Sequence, residues 1–181
     1  MQPTNPNQFT EKAWAAVVKT PEIAKQQRHQ QIESEHLMLA LLEQTGLASS
    51  IFNKAGLSVA QIRDKTTEFV ARQPKLAQSS DSIYLGQSLD QLLDRAEQQR
   101  QTFGDDYISI EHLLLAYAQD GRFGKTLFKD LGLTETKLRD AIKAIRGHQT
   151  VTDQNPEGKY DALEKYGRDL TELARTGKLD P

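Results

Sequence analysis

The chain predicts an all-α fold, on three observations. One nine-residue stretch is written twice, helical periodicity recurs in every long segment, and no run alternates apolar and polar residues as a half-buried strand does. Ile32-Glu33-Ser34-Glu35-His36-Leu37-Met38-Leu39-Ala40 returns 76 residues later as Ile108-Ser109-Ile110-Glu111-His112-Leu113-Leu114-Leu115-Ala116. The offset holds without a gap: Phe52 pairs with Phe128, Gly56-Leu57 with Gly132-Leu133, and Ile62 with Leu138. Nine of the 31 positions from 32 to 62 are identical. A repeat at fixed spacing sets the architecture ahead of any local reading. The unit is too long for a solenoid, and two copies are too few for an array. The expectation is a duplicated four-helix repeat forming one pseudo-twofold domain over 1–147, with copy one at about 9–74 and copy two at about 85–147.

The helices follow in order. Residues 1–8 are polar and read as a loose tail. A helix starts near Phe9-Thr10-Glu11, with Phe9, Ala13, Ala16 and Val17 on one face. Thr20-Pro21 predicts a kink or two abutting helices, because a proline inside a helix costs about 3 kcal/mol. The first motif opens a helix at Glu33 or Ser34 that Gly46 ends, and a short helix then stops at Ala55-Gly56, where glycine suits a left-handed C-terminal position. Ser58 caps a longer helix carrying Val59, Ile62, Phe69 and Val70, and Pro74 closes it. Residues 75–87 connect the copies. Copy two repeats the scheme: Leu89, Leu92, Leu93 and Ala96 lie on a helix ending near Gly104, Ser109 opens the motif helix, and Thr134 caps the last one. From His148 to Tyr160 the chain is polar and reads as a flexible linker, and residues 161–181 form a further amphipathic stretch.

Composition narrows the function. Of 181 residues, 23 are basic and 25 acidic, giving a net charge of −2, which is no footprint for a nucleic acid or an anionic membrane. Cysteine is absent, so the chain has neither disulfides nor thiolate metal ligands. No apolar run exceeds six residues, as at Leu37–Leu42, far short of the roughly 20 residues of a membrane span. The expected location is cytoplasmic. Gly121-Arg122-Phe123-Gly124-Lys125-Thr126 ends like a phosphate loop, but Gln119 stands where that motif needs glycine and a leucine-rich helix precedes it instead of a strand. His36 and His112 each follow a glutamate without a second ligand at helical spacing, which favours a polar first-turn residue over a metal ligand. Ala55 to Ile62 has the outline of a helix-turn-helix corner without its basic footprint. The residues predict a binding module with no catalytic group, cofactor or metal.

Phe9-Thr10-Glu11-Lys12-Ala13-Trp14 and the two copies of the His-containing motif together resemble the repeated N-terminal domain of Clp-family chaperones. Asn155 to Thr171 and Gly177 to Pro181 resemble the lead-in to the first ATPase module of the family's disaggregase branch. This resemblance implies a larger parent: a homohexameric ATPase using ATP and Mg that threads aggregated polypeptides through its pore with a DnaK-type chaperone system. It implies that residues 161–181 begin the first ATPase module. It also implies that the N-domain captures unfolded or aggregated proteins in an apolar groove that includes Leu93, while Asp105 and Glu111 lie on a surface used with clients or with the ring. A rival within the family is an adaptor-docking N-domain of a Clp protease unfoldase; the 153–181 lead-in favours the disaggregase. Pro6 stands where the family often carries threonine, and Gln99 and His112 stand where some relatives have leucine.

Overall fold

Thr10, Ser58 and Thr134 each turn a side-chain oxygen back onto the backbone N–H three residues on, at 3.2 Å, and so start three of the helices. In the computed structural model, which describes residues 1, 3, 5–158 and 160, the helices are α1 Glu11–Gln26, α2 Ser34–Glu43, α3 Leu47–Lys54 and α4 Val59–Ala71 in copy one. Copy two contributes α5 Gln87–Phe103, α6 Ile110–Tyr117, α7 Gly124–Asp130 and α8 Glu135–Arg146. The starts of α5, α6 and α8 lie 76 residues after those of α1, α2 and α4. Gly56 and Gly132 end α3 and α7 at φ +84° and +72°, a conformation that suits glycine.

The copies interleave. Two short strands, β1 Gln31–Ile32 and β2 Tyr84–Leu85, pair in parallel with Ile32 opposite Leu85, and a single bridge joins Phe9 to Ile108. At the 76-residue offset Phe9 corresponds to Leu85 and Ile32 to Ile108, so these are the same contact made twice, once by each copy on the other. These strands correct the expectation of no β-structure: two residues are too short for alternation to register. Phe52 and Phe128, another equivalent pair, meet edge-on at 6.0 Å between ring centres. One core runs through both copies, from Phe9 and Leu37 to Leu113 and Leu138. The described residues of the 1–8 segment also depart from a loose tail, with a 3₁₀ turn at Pro6–Gln8 and the Met1 amino group 2.7 Å from Asp94.

The structure bears on two further expectations. Helix α1 is a single helix through Pro21, so the alternative of two abutting helices falls. Proline removes the N–H that the Val17 carbonyl would accept, and the buried Thr20 hydroxyl supplies it instead, donating to that carbonyl at 2.6 Å. Leu93, expected in an open groove, is fully buried, as is its neighbour Leu92. Helix α5 packs against α6 of its own copy and α2 of the other, so an arc wide enough for both leucines faces the core.

Thr20→Val should lower stability to chemical denaturation by about 1–3 kcal/mol, since the Val17 carbonyl is left unpaired. In a Pro21→Ala background the restored amide takes that carbonyl, so the same substitution should cost less. Equal losses in both backgrounds would show that the hydroxyl does not stand in for the amide.

Candidate functional site

Each motif helix begins with a histidine folded back on its own start. The Glu33 N–H donates to His36 Nδ1, and the Ser109 N–H to His112 Nδ1, both at 2.9 Å. Histidine thus takes the place of the Glu or Gln of a capping box. Because Nδ1 accepts, each neutral ring carries its proton on Nε2, which points inward and needs an acceptor. His36 Nε2–H donates to His29 Nδ1 at 2.8 Å, and His112 Nε2–H to Asp105 Oδ2 at 2.7 Å. Residues 29 and 105 are themselves 76 apart, so one position of the repeat holds a histidine in copy one and an aspartate in copy two.

Asp105 and Glu111 were expected on the surface; they are 2% and 1% exposed. The turn after Gly104 folds Asp105 inward because His112 needs an acceptor there. Asp105 also pairs with Arg146 and accepts the Val151 N–H at 2.9 Å. Burial pushes its pKa up, but the bonds from His112, Arg146 and Val151 outweigh that and hold it below the usual carboxylate value. Glu111 accepts the Ser109 hydroxyl and lies 3.6 Å from Arg146. The guanidinium of Arg146 also stacks on Phe103, 4.9 Å from the ring centre.

Above this cluster opens a cleft of about 350 Å³, lined by Phe103, Ile142, Arg139, Lys143, Arg146 and residues 147–150. Phe103 is half-buried. Arg139, on the rim, donates to Gln99 at 3.3 Å. Leu93 lies in the core rather than in this lining. The segment 148–160, expected to be flexible, is docked where it is described: Val151, Glu157 and Tyr160 are buried. Residues 161–181 lie outside the described residues.

The seam between the copies holds a second, polar cavity of about 360 Å³ lined by His29, Glu33, Glu35, His36 and Arg122 among others. Arg122 clamps Glu35 with two bonds of 2.9 Å and reaches Glu33 at 3.2 Å. Glu35 is the repeat counterpart of Glu111, so each motif glutamate sits under an arginine. Asp120 Oδ2 accepts the N–H groups of Phe123 and Gly124 at 2.9 and 2.8 Å. The Lys125 N–H bonds the Asp120 carbonyl at 2.9 Å, so the Gly124 and Lys125 donors that a phosphate would need are occupied. A Cβ at Gly124 would come within 2.0 Å of the Tyr117 carbonyl, so close packing demands that glycine. Among the described residues, no group of three or more His, Cys, Asp or Glu side chains is gathered to hold a metal ion. No helix among them is long and apolar enough to cross a membrane.

Sequence reasoning singled out Asp105 and Glu111 but missed Arg146, Phe103, Val151 and Glu157 around them. Only the pairing of His29 with Asp105 was readable, by carrying the offset three residues ahead of the motif.

Asp105→Ala should destabilise the domain by about 3–5 kcal/mol, because it strands the buried Arg146 and His112; a loss under 1 kcal/mol would mean the carboxylate is not their partner. A second outcome concerns acid. Burial pushes His36 down from 6.5 to about 4. Between those values the unfolded chain binds a proton that the folded domain does not, so this stability is complete above pH 6.5 and is lost as pH falls toward 4. The span amounts to about 3 kcal/mol. His36→Gln keeps the capping acceptor, so urea denaturation should show a flatter acid limb; an unchanged limb would exclude His36 as its source.

Residues 8–131 match the Clp repeat (R) N-terminal domain. Over all 181 residues the chain is 68% identical to the chaperone protein ClpB 2 of Synechocystis and 70% identical to ClpB 1 of Thermosynechococcus vestitus, spanning 21% of each. It is 51% identical over 175 residues to the chloroplastic ClpB2 of rice, spanning 18% of that protein. The chain thus spans about a fifth of the length of the curated relatives it matches. The Hsp104 N-terminal domain of Candida albicans has the same fold, with a TM-score of 0.73 at 22% identity over 83% of this chain and 99% of that one. The ClpV N-domain of Vibrio cholerae has it too, at 0.64 and 15% identity over 76% and 84% of the two chains. With two interleaved copies of a histidine-capped helical unit, and with these relatives, the chain belongs to the Clp repeat N-terminal domain family, in the form carried by ClpB chaperones.

Proposed function

We propose that this chain is the client-capturing N-terminal domain of a ClpB-type disaggregase. It holds apolar segments of unfolded or aggregated polypeptides and presents them to a hexameric ring that binds ATP and Mg and works with a DnaK-type chaperone system in the cytoplasm. The observation that carries the reading is the cleft: a half-buried aromatic ring and aliphatic surface, open to solvent and rimmed by Arg139 and Lys143. A concavity of this size, with an apolar floor and a few polar groups at its edge, has the shape of a binding site. Kinship with ClpB chaperones supports the same reading.

In this proposal the three residues first linked to client handling act from beneath the cleft. Asp105 holds Arg146, Arg146 holds Phe103, and Glu111 supports Arg146 from the other side. Leu93 acts through the core that backs α5. Capture has to be weak, because a domain that passes clients on cannot keep them. The expected dissociation constant is micromolar or weaker, about −8 kcal/mol or smaller in magnitude.

The test is titration with reduced, carboxymethylated lactalbumin, a permanently unfolded protein. Phe103→Ala should weaken binding about tenfold, equivalent to about 1.4 kcal/mol, while helical circular dichroism persists. Absence of binding by the unaltered chain, or equal binding by the variant, would overturn the reading.

A further inference from the structure

One wall of the cleft has little anchorage of its own. Residues 147–150 are exposed, and the Arg146 side chain holds them through its bond to the Gln149 carbonyl at 2.8 Å. The next seven residues, by contrast, are tied down repeatedly by groups outside the cleft. The Val151 N–H donates to Asp105 at 2.9 Å, and its carbonyl accepts the Asp106 N–H at 2.8 Å. The Gln154 carbonyl accepts the Glu11 N–H at 2.7 Å, and its side-chain amide donates to the Phe9 carbonyl at 3.1 Å. Glu157 Oε1 accepts the Thr10 hydroxyl at 2.5 Å and the Ile110 N–H at 3.4 Å. Docking of residues 151–157 and the Arg146 bond to Gln149 together place this wall.

We propose that residues 151–157 form a strap whose docking assembles the client cleft, so that strap docking and client binding are thermodynamically linked. The proposal rests on reading the cleft as the client site. A guest that touches both walls buries less surface when one wall is free, so it binds the docked state more tightly. Reciprocity then requires that a bound client hold the strap down. The strap is also the covalent route from the domain to residues 161–181, so occupancy of the cleft alters how firmly the domain is held to the chain that follows.

One group works against the dock. Glu157 Oε2 is buried with no partner among the described residues, and the charge of Glu111 acts on the same carboxyl. Burial and that neighbouring charge push Glu157 up from 4.5 to about 7. An incompletely satisfied buried carboxyl weakens the docked state, which the surrounding hydrogen bonds still favour.

The experiment uses the whole chain, with amide exchange read by NMR at Glu11 and Asp106 and binding read with the same unfolded lactalbumin. Val151→Asp places a charge against Asp105 at a residue outside the cleft, and Glu157→Ala removes the far anchor without touching it. Both should speed exchange at the two amides about tenfold or more, and weaken binding about fivefold or more, the low end of typical coupling between sites. In the unaltered chain, saturating lactalbumin should slow the same exchange by a comparable factor. Variants that free the strap yet bind normally would overturn the linkage and leave the cleft reading standing. Protected amides in a chain that binds no client would sink the cleft reading, and the linkage with it. Free exchange in the unaltered chain would show that the strap is not docked. If Val151→Asp unfolds the domain, Glu157→Ala decides between the same outcomes.

Discussion

A backbone N–H at the start of each motif helix commits much of what surrounds it. Capping by a histidine Nδ1 forces the ring proton onto Nε2, and the ring is buried, so the core must supply an acceptor. The repeat meets this demand in two ways. Copy one uses a neutral ring, His29, whose own Nε2 then has no partner among the described residues. Copy two uses a carboxylate, Asp105, which in turn demands a cation. Arg146 meets that demand from the end of α8, where copy one has Val70 at the equivalent position. Arg146 then brings Glu111 and Phe103 into the same assembly.

The duplication does more than double the core. Each copy lends an extended segment to the other, and the polar contacts across the seam follow the same exchange. Ser34 of copy one donates to Asp120 of copy two at 2.6 Å, and Tyr117 donates to the Ser34 carbonyl at 2.9 Å. Arg122 reaches back to Glu35. Copy one does not by itself satisfy Ser34 and Glu35 at the head of its motif helix, and Ile108, ahead of the copy-two helix, takes its backbone partners from Gln8 and Thr10, so the two fold as one unit.

Asymmetry between the copies is where the chemistry lies. The N–H of Ser34 bonds the Ser88 hydroxyl at 2.9 Å, whereas the equivalent N–H of Ile110 bonds the carboxyl of Glu157. Asp105 accepts from both the motif histidine and the strap, so one carboxylate joins helix cap, cleft and strap. The duplicated fold thereby acquires, in copy two only, a site joined to the chain that leaves it.

The sequence by itself determined the repeat, its offset and the helix starts, because Thr10, Ser58 and Thr134 act on backbone groups three residues away. The motif histidines were placed correctly in the first turn of their helices for the same reason. Only the tertiary structure decided which way Asp105, Glu111 and Leu93 face. Asp105 and Glu111 read as exposed because a carboxylate beside a turn or a helix start is normally solvated; their burial depends on Arg146, 41 residues from Asp105 in the chain. Leu93 turned inward because α5 is covered by helices of both copies. The strap looked like a polar linker because its anchors are mostly backbone groups and one carboxyl. Hydrogen bonding to partners as distant as Thr10, 147 residues away, leaves no periodicity in a sequence to read.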